Sequence, residues 1–204
     1  MWEIYLGEAI RRRRLELEVT QEQLCEGICE PITLSRLENG RQTPSRARVN
    51  ALLERLDLPT NQYWYLLSTD EEEVETLRKE IASYNVQFQK TGIDEKPRIR
   101  KTVLNAHKKL EAVMDDDDTL SRQIILRSCA LVGTEVGDYS SGEKISILTE
   151  AVRMTSPRFD VDDIGRGLYT TDEIKIINHL AIEYSRAGKS MEAISIWSQL
   201  HKYI

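Results

Sequence analysis

The sequence predicts an all-α fold, and three observations carry the prediction. Apolar residues recur at helical spacing through nearly every stretch of the 204-residue chain. Only five prolines and ten glycines interrupt it. No run of alternating β-branched residues is set between hairpin turns. Roughly ten or eleven helices are expected. With 40% apolar and 30% charged residues, the chain can bury a sizeable core and is too apolar for intrinsic disorder.

The elements follow in order. Leu6, Ile10, Arg14 and Leu17 share one face of a first helix. Thr20, with Gln23 three residues on, forms a capping box that opens a second. A tight connection around Gly27-Ile28-Cys29 leads to a helix over Thr33–Asn39, which buries Leu34 and Leu37 and stops at Gly40. Ser45 opens the next helix, with Val49, Leu52, Leu53 and Leu56 on one face. Pro59-Thr60 ends that helix and starts a fifth. From Asp70 the helices lengthen, and Val74, Leu77, Ile81, Tyr84 and Phe88 form a narrow 3-4-3-4 seam. The expected division is a head over 1–68, a connector helix over 69–90 and a helical region over 91–204.

Composition excludes several functions. No apolar run reaches the ~18–20 residues of a membrane span. The start, MWEIYLGEAIRRRR, places its charges after its apolar residues, so neither signal peptide nor anchor is expected, and the protein reads as cytoplasmic. Cys25, Cys29 and Cys129 lack CxxC spacing and read as small buried thiols. The three histidines stand apart, so no metal site and no cofactor are expected, and Asp115–Asp118 reads as a solvated loop and helix cap. No nucleophile–base pair or phosphate loop occurs, which argues against an enzyme. The net charge of −6 speaks at first against nucleic acid. It is unevenly spread: residues 1–68 hold nine basic and ten acidic side chains, and all nine basic ones are arginine. Arginine suits bidentate contact with phosphate or guanine. Two near-neutral heads on a paired site are then needed for useful affinity, which makes a homodimer part of the expectation.

Residues 20–45, TQEQLCEGICEPITLSRLENGRQTPS, carry the functional signal. A short helix, a tight turn and a second helix that buries Leu34 and Leu37 leave Glu30, Pro31, Ile32, Thr33 and Arg36 facing outward. A helix offering its first turn in this way is how a helix-turn-helix enters the major groove. Thr20–Leu24 (TQEQL) and Leu34–Gly40 (LSRLENG) resemble the helix-turn-helix of phage-repressor and Xre-type proteins, over residues 6–58. The short EGIC turn, Glu26–Cys29, is similar to that of the Rgg/PlcR branch of peptide-responsive regulators. Glu30-Pro31-Ile32 departs from the Ser or Arg usual in that branch. The resemblance implies a five-helix lambda-repressor-like domain on a double-stranded DNA operator. In it Gln21 bonds a phosphate, Ile32 and Arg36 face base edges beside Pro31, and Thr33, Asn39, Arg41 and Arg46 grip the backbone. Arg14, on an apolar stripe where an unpaired charge is expensive, is expected to pair internally with Glu38.

The second part holds a weak repeat: 126–151 aligns without gaps on 177–202, matching Ala130 with Ala181, Gly137 with Gly188 and Gly142 with Ala193. It resembles tetratricopeptide-like helical pairs, separated by an inserted loop over Pro157–Thr170. Helical pairs of this kind bind extended peptides on a concave face. If Ala181 sits at the inner crossing, Asn178, Ile182 and Ser185 line that face, with Arg127, Leu131 and Thr134 from the first copy. Asn178 would clamp a signalling peptide's backbone or remain a solvated structural residue. Arg127 would hold a carboxylate or an ion pair with a neighbouring helix. Ile204 ends the chain on a helix with no polar cap, so either the form is truncated or the end packs in a dimer. The expected function is a dimeric, peptide-modulated transcription regulator; the alternative is an interaction scaffold whose head mainly dimerises.

Overall fold

The computed structural model describes residues 2–60 and 69–203. Among these there are ten α-helices and no strand. The head contains α1 (Trp2–Glu16), α2 (Gln21–Cys25), α3 (Pro31–Glu38) and α4 (Arg46–Arg55). The expected fifth helix falls at 61–68, outside the described residues. Leu6, Ile10, Leu24, Leu34, Val49, Leu52, Leu53 and Leu56 have no exposed surface and fill one core. Gly7 lets α1 lie directly on α3, because a Cβ there would stand 2.1 Å from the Leu37 carbonyl oxygen. Leu17 departs from expectation: α1 stops at Glu16, and Leu17 lies in the following turn, 40% exposed.

Beyond the head the helices form antiparallel pairs, a tetratricopeptide-like arrangement: α5 (Thr69–Lys90) with α6 (Lys96–Val113), α7 (Thr119–Val132) with α8 (Ser141–Thr155), and α9 (Thr171–Arg186) with α10 (Ser190–Tyr203). Leu77 and Ile81 of the α5 seam pack on Ala106 and Leu110 of α6 and Ile125 of α7, so this helix is part of the array. Reciprocal capping boxes start α8 (Ser140, Glu143) and α9 (Thr170, Glu173). Ala130, Ala181 and Ala193 are buried at the helix crossings. The gapless register does not hold at the turns. Gly188 (φ +79°) ends α9, and the positive-φ glycine that ends α7 is Gly133, not Gly137. Residues 133–140 separate α7 from α8, whereas only 187–189 separate α9 from α10. The segment between α8 and α9 is tied down by Phe159, Ile164 and Tyr169, all buried in the core of the last two pairs.

The head is docked on the array around one guanidinium. Arg55, at the end of α4, is 5% exposed. Its Nη1 donates to the carbonyl oxygens of Leu24 (2.9 Å) and Glu26 (2.7 Å) in the head. Its Nη2 donates to Thr155 O (2.7 Å) and lies 3.3 Å from Glu173 Oε1 in the array. Glu173 is wholly buried and also accepts from the hydroxyls of Thr155 (2.6 Å) and Ser156 (2.7 Å) and from Thr170 N (2.6 Å). Gly27 closes the same junction with φ +69°; a Cβ there would stand 2.3 Å from Thr155 O. Thr119 Oγ1 donates to Gly27 O, and Leu120 joins the head's core. Exposed pairs Arg48–Asp117 and Arg158–Glu26 ring the contact and add little.

Two predictions follow from this packing. Arg55→Ala leaves the Glu173 carboxylate buried without its cation and should cost about 3–5 kcal/mol. Urea unfolding of the full chain measures it, and a loss below about 1 kcal/mol would contradict the account. The second concerns pH. His107 is buried, with Nδ1 3.7 Å from Cys129 Sγ and Nε2 without a protein partner, and burial pushes its pKa from 6.5 down to about 4. Burial also takes His179 to about 4, opposed by Glu183 and reinforced by Arg127, Lys144 and Arg186. The unfolded chain therefore binds more protons between these values. The stabilising contribution is present above pH 6.5 and is lost as the pH falls toward about 4. His107→Phe should flatten that slope in denaturant midpoints taken across this range.

Candidate nucleic-acid interface

Local chemistry builds the site. Thr20 Oγ1 accepts from Gln23 N while the Gln23 side chain accepts from Thr20 N, so α2 starts on a complete capping box. Glu26 leaves the helical region, Gly27 turns left-handed, and Pro31 begins α3 at a position where its missing N–H is not needed. α3 starts two residues before the expected Thr33. Leu34, Leu37 and Glu38 turn inward, Ile32 is 58% exposed, and Arg36 and Asn39 are exposed. Pro31 and Thr33 are half-buried at the head of the helix. Gly40 follows with φ +65°, and exposed Arg41 leaves the helix end.

The candidate contact residues are differently constrained. Arg36 Nη1 donates to Gln42 Oε1 at 3.3 Å, a long bond between exposed side chains. Asn39 Nδ2 donates to Ser35 O at 2.7 Å, leaving its Oδ1 outward. Arg46 is exposed in the first turn of α4, and the Ser45 side chain makes no cap bond there. Gln21 is half-buried, and its Nε2 donates to Glu38 Oε2 at 2.7 Å. What Gln21 presents outward is its place at the start of α2, where backbone N–H groups have no intrahelical partner.

Beneath the surface Arg14 makes a bidentate pair with Glu38, Nε to Oε1 at 2.7 Å and Nη2 to Oε2 at 2.9 Å, while Nη1 donates to Val19 O. The Glu38 hydrogen bond raises the Arg14 pKa, with desolvation opposing and the charges of Glu38 and Glu22 reinforcing. The pair joins α1, α3 and the start of α2, and so fixes the angle at which α3 is presented.

The second candidate group lies on α7 and α9. Arg127 and Leu131 are half-buried on α7; Asn178 and Ser185 are exposed and Ile182 half-buried on α9. Asn178 Oδ1 accepts from Trp197 Nε1 at 3.1 Å, so part of its capacity is taken by α10. Burial lowers the Arg127 pKa, and Asp172 opposes the shift. Thr134 Oγ1 is turned into its own loop, donating to Gly137 O. Glu183 is fully buried, with Oε1 on Arg186 (2.6 Å) and Oε2 lacking a partner among the described residues. No group of acidic, His or Cys residues among the described residues could hold a metal, and no described helix is long and apolar enough to cross a membrane.

Residues 5–62 match the family model described as a helix-turn-helix domain, and the head is such a domain. Among solved structures the chain is similar to PlcR of Bacillus thuringiensis, crystallised with the peptide PapR7 and DNA, at 19% identity and a TM-score of 0.40. That match covers 97% of this chain, which spans 64% of the other's length. No curated protein matches the sequence.

Sequence reasoning missed Arg55. It lies off the Val49–Leu56 stripe, beside Ala51, and all its acceptors are distant in sequence or are carbonyls. The signal that could have found it is a second basic residue among apolar neighbours, ALLERL, parallel to Arg14. Glu38→Gln should cost about 3–5 kcal/mol by stranding the Arg14 charge. Chemical denaturation with a spectroscopic readout of helix content measures it; an unchanged midpoint would remove Arg14–Glu38 from the support of α3.

Proposed function

We propose that the chain is a sequence-specific DNA-binding transcriptional regulator of the Rgg/PlcR type. It works as a dimer and is modulated by a short peptide on its helical pairs. The observation that carries the DNA half is the division of α3. Leu34, Leu37 and Glu38 are locked inward, and Ile32, Arg36 and Asn39 are left on the open side. Ile32 suits a thymine methyl and Arg36 a guanine edge. Thr33, Asn39, Arg41, Arg46 and the start of α2 at Gln21 suit phosphates, with Pro31 setting the helix entry. A head with nine arginines and ten carboxylates binds weakly alone, which favours two heads on paired half-sites.

The peptide half rests on α9. One helix carries Asn178, Ile182 and Ser185 outward and, in its first turn, the Glu173 that holds Arg55 of the head. A peptide bridging this face and Arg127–Leu131 of α7 would bias that helix, and α9 would pass the bias to the head through the junction.

The test is binding to duplexes selected by the protein from a random pool. Arg36→Ala should weaken the selected duplex by about 5- to 150-fold, equivalent to 1–3 kcal/mol, and spare random DNA. Arg41→Ala should weaken both and lower the salt slope by about one. Unchanged selectivity in Arg36→Ala would remove its reading role. Affinity that does not fall with salt would overturn the DNA reading in favour of an interaction scaffold.

A further inference from the structure

We propose that Cys25 and Cys29 form a reversible thiol–disulfide pair in the turn between α2 and α3, oxidised by a peroxide. Both cysteines are free. α2 ends at Cys25, and the Cys25 carbonyl accepts from Ile28 N (2.9 Å) and Cys29 N (3.0 Å). With Cys29 N 3.0 Å from Cys25 O, the two Cα atoms can be at most about 7 Å apart. A disulfide spans about 4.4–6.8 Å between Cα atoms. The left-handed Gly27 between them takes the chain out of the helix and lets the side chains converge. The Cys25 thiol donates to Glu22 O at 3.7 Å, a weak bond that closure would break.

The surroundings divide the roles. Cys29 is half-buried and reachable from solvent; Cys25 is 2% exposed. The neighbouring Cys25 thiol favours the Cys29 thiolate, burial opposes it, the charges of Arg48 and Arg55 reinforce it and Glu30 opposes; Cys29 and burial push the Cys25 thiol the other way, so Cys29 is the one that ionises first. A partly exposed thiol beside arginines is the setting of a reactive cysteine. Cys129 makes the internal contrast, because burial pushes its thiol up to about 11, with Glu111 adding.

The chemistry closes without other reactants. The Cys29 thiolate attacks the peroxide, an S–O bond forms, the O–O bond breaks, and the leaving hydroxide takes a proton to become water. The Cys25 thiol loses its proton and its sulfur displaces the Cys29 hydroxyl, forming S–S and releasing a second water. Two thiols have lost two electrons and the peroxide has gained them. Closure draws the Cβ atoms to about 3.8 Å. This repacks 25–29, the turn that orients α3 and whose flanking carbonyls, Leu24 and Glu26, hold Arg55.

The test uses the reduced full chain, equimolar hydrogen peroxide and a tryptic digest. Cys25 and Cys29 share the peptide 15–36, and Cys129 lies on 128–144. The peptide 15–36 should lose the mass of two hydrogens, regain it with dithiothreitol, and react on the order of tenfold faster than Cys129. Cys25→Ser should stop at a sulfenic acid on Cys29, trapped by dimedone. Cys29→Ser should leave Cys25 reduced. The wild-type digest decides alone if either variant fails to fold. Cysteines of 15–36 that stay reduced, a Cys129 that reacts first, or a disulfide joining two chains would each overturn the proposal.

Discussion

One buried cation, Arg55, is the centre of the junction between head and array. Arg55 leaves water, which is costly, and recovers that cost only because three backbone carbonyls and one carboxylate converge on its two terminal nitrogens. Two of the carbonyls belong to the helix-turn-helix and one to the end of α8; the carboxylate opens α9. None of these groups could face a void, so the turn after α2, the end of α8 and the start of α9 are fixed together. Gly27 follows from the same constraint. The backbone of Thr155 occupies the space where any other residue would carry its Cβ.

The parts of the fold that were legible in the sequence are those written locally. Thr20 and Gln23 announce the start of α2 because their reciprocal bonds lie within one turn. Leu34 and Leu37 announce the buried side of α3 because a short helix has only one face to hide. Arg14 stood out as a charge on an apolar stripe, and Glu38 as the acid able to reach it. What was not legible depended on partners about a hundred residues away. Arg55 stood off the apolar stripe of its own helix, and nothing near it in sequence pointed to Glu173, 118 residues away. The repeat register failed for a different reason. The turn between α7 and α8 is longer than that between α9 and α10, so a gapless alignment matched Gly137 to Gly188, while the positive-φ glycine at the end of α7 is Gly133.

The same contrast separates two buried ion pairs that look alike in composition. Arg14–Glu38 is internal to the head and sets the pose of α3; with Gln21 it ties α1, α2 and α3 beside the apolar core they share. Arg55–Glu173 spans the two halves and carries no part of the reading surface. Damage to the first should alter what the head presents. Damage to the second should alter how the head is held.

The docking of head on array is intramolecular, and this has a consequence for scale. A contact between tethered parts experiences an effective concentration on the order of millimolar, whatever the amount of protein in solution. Diluting the protein therefore leaves the Arg55 junction closed. Any association between two chains, by contrast, weakens on dilution. The internal posture of the head is thus set by the chain itself, whereas the dimer proposed above would be set by abundance.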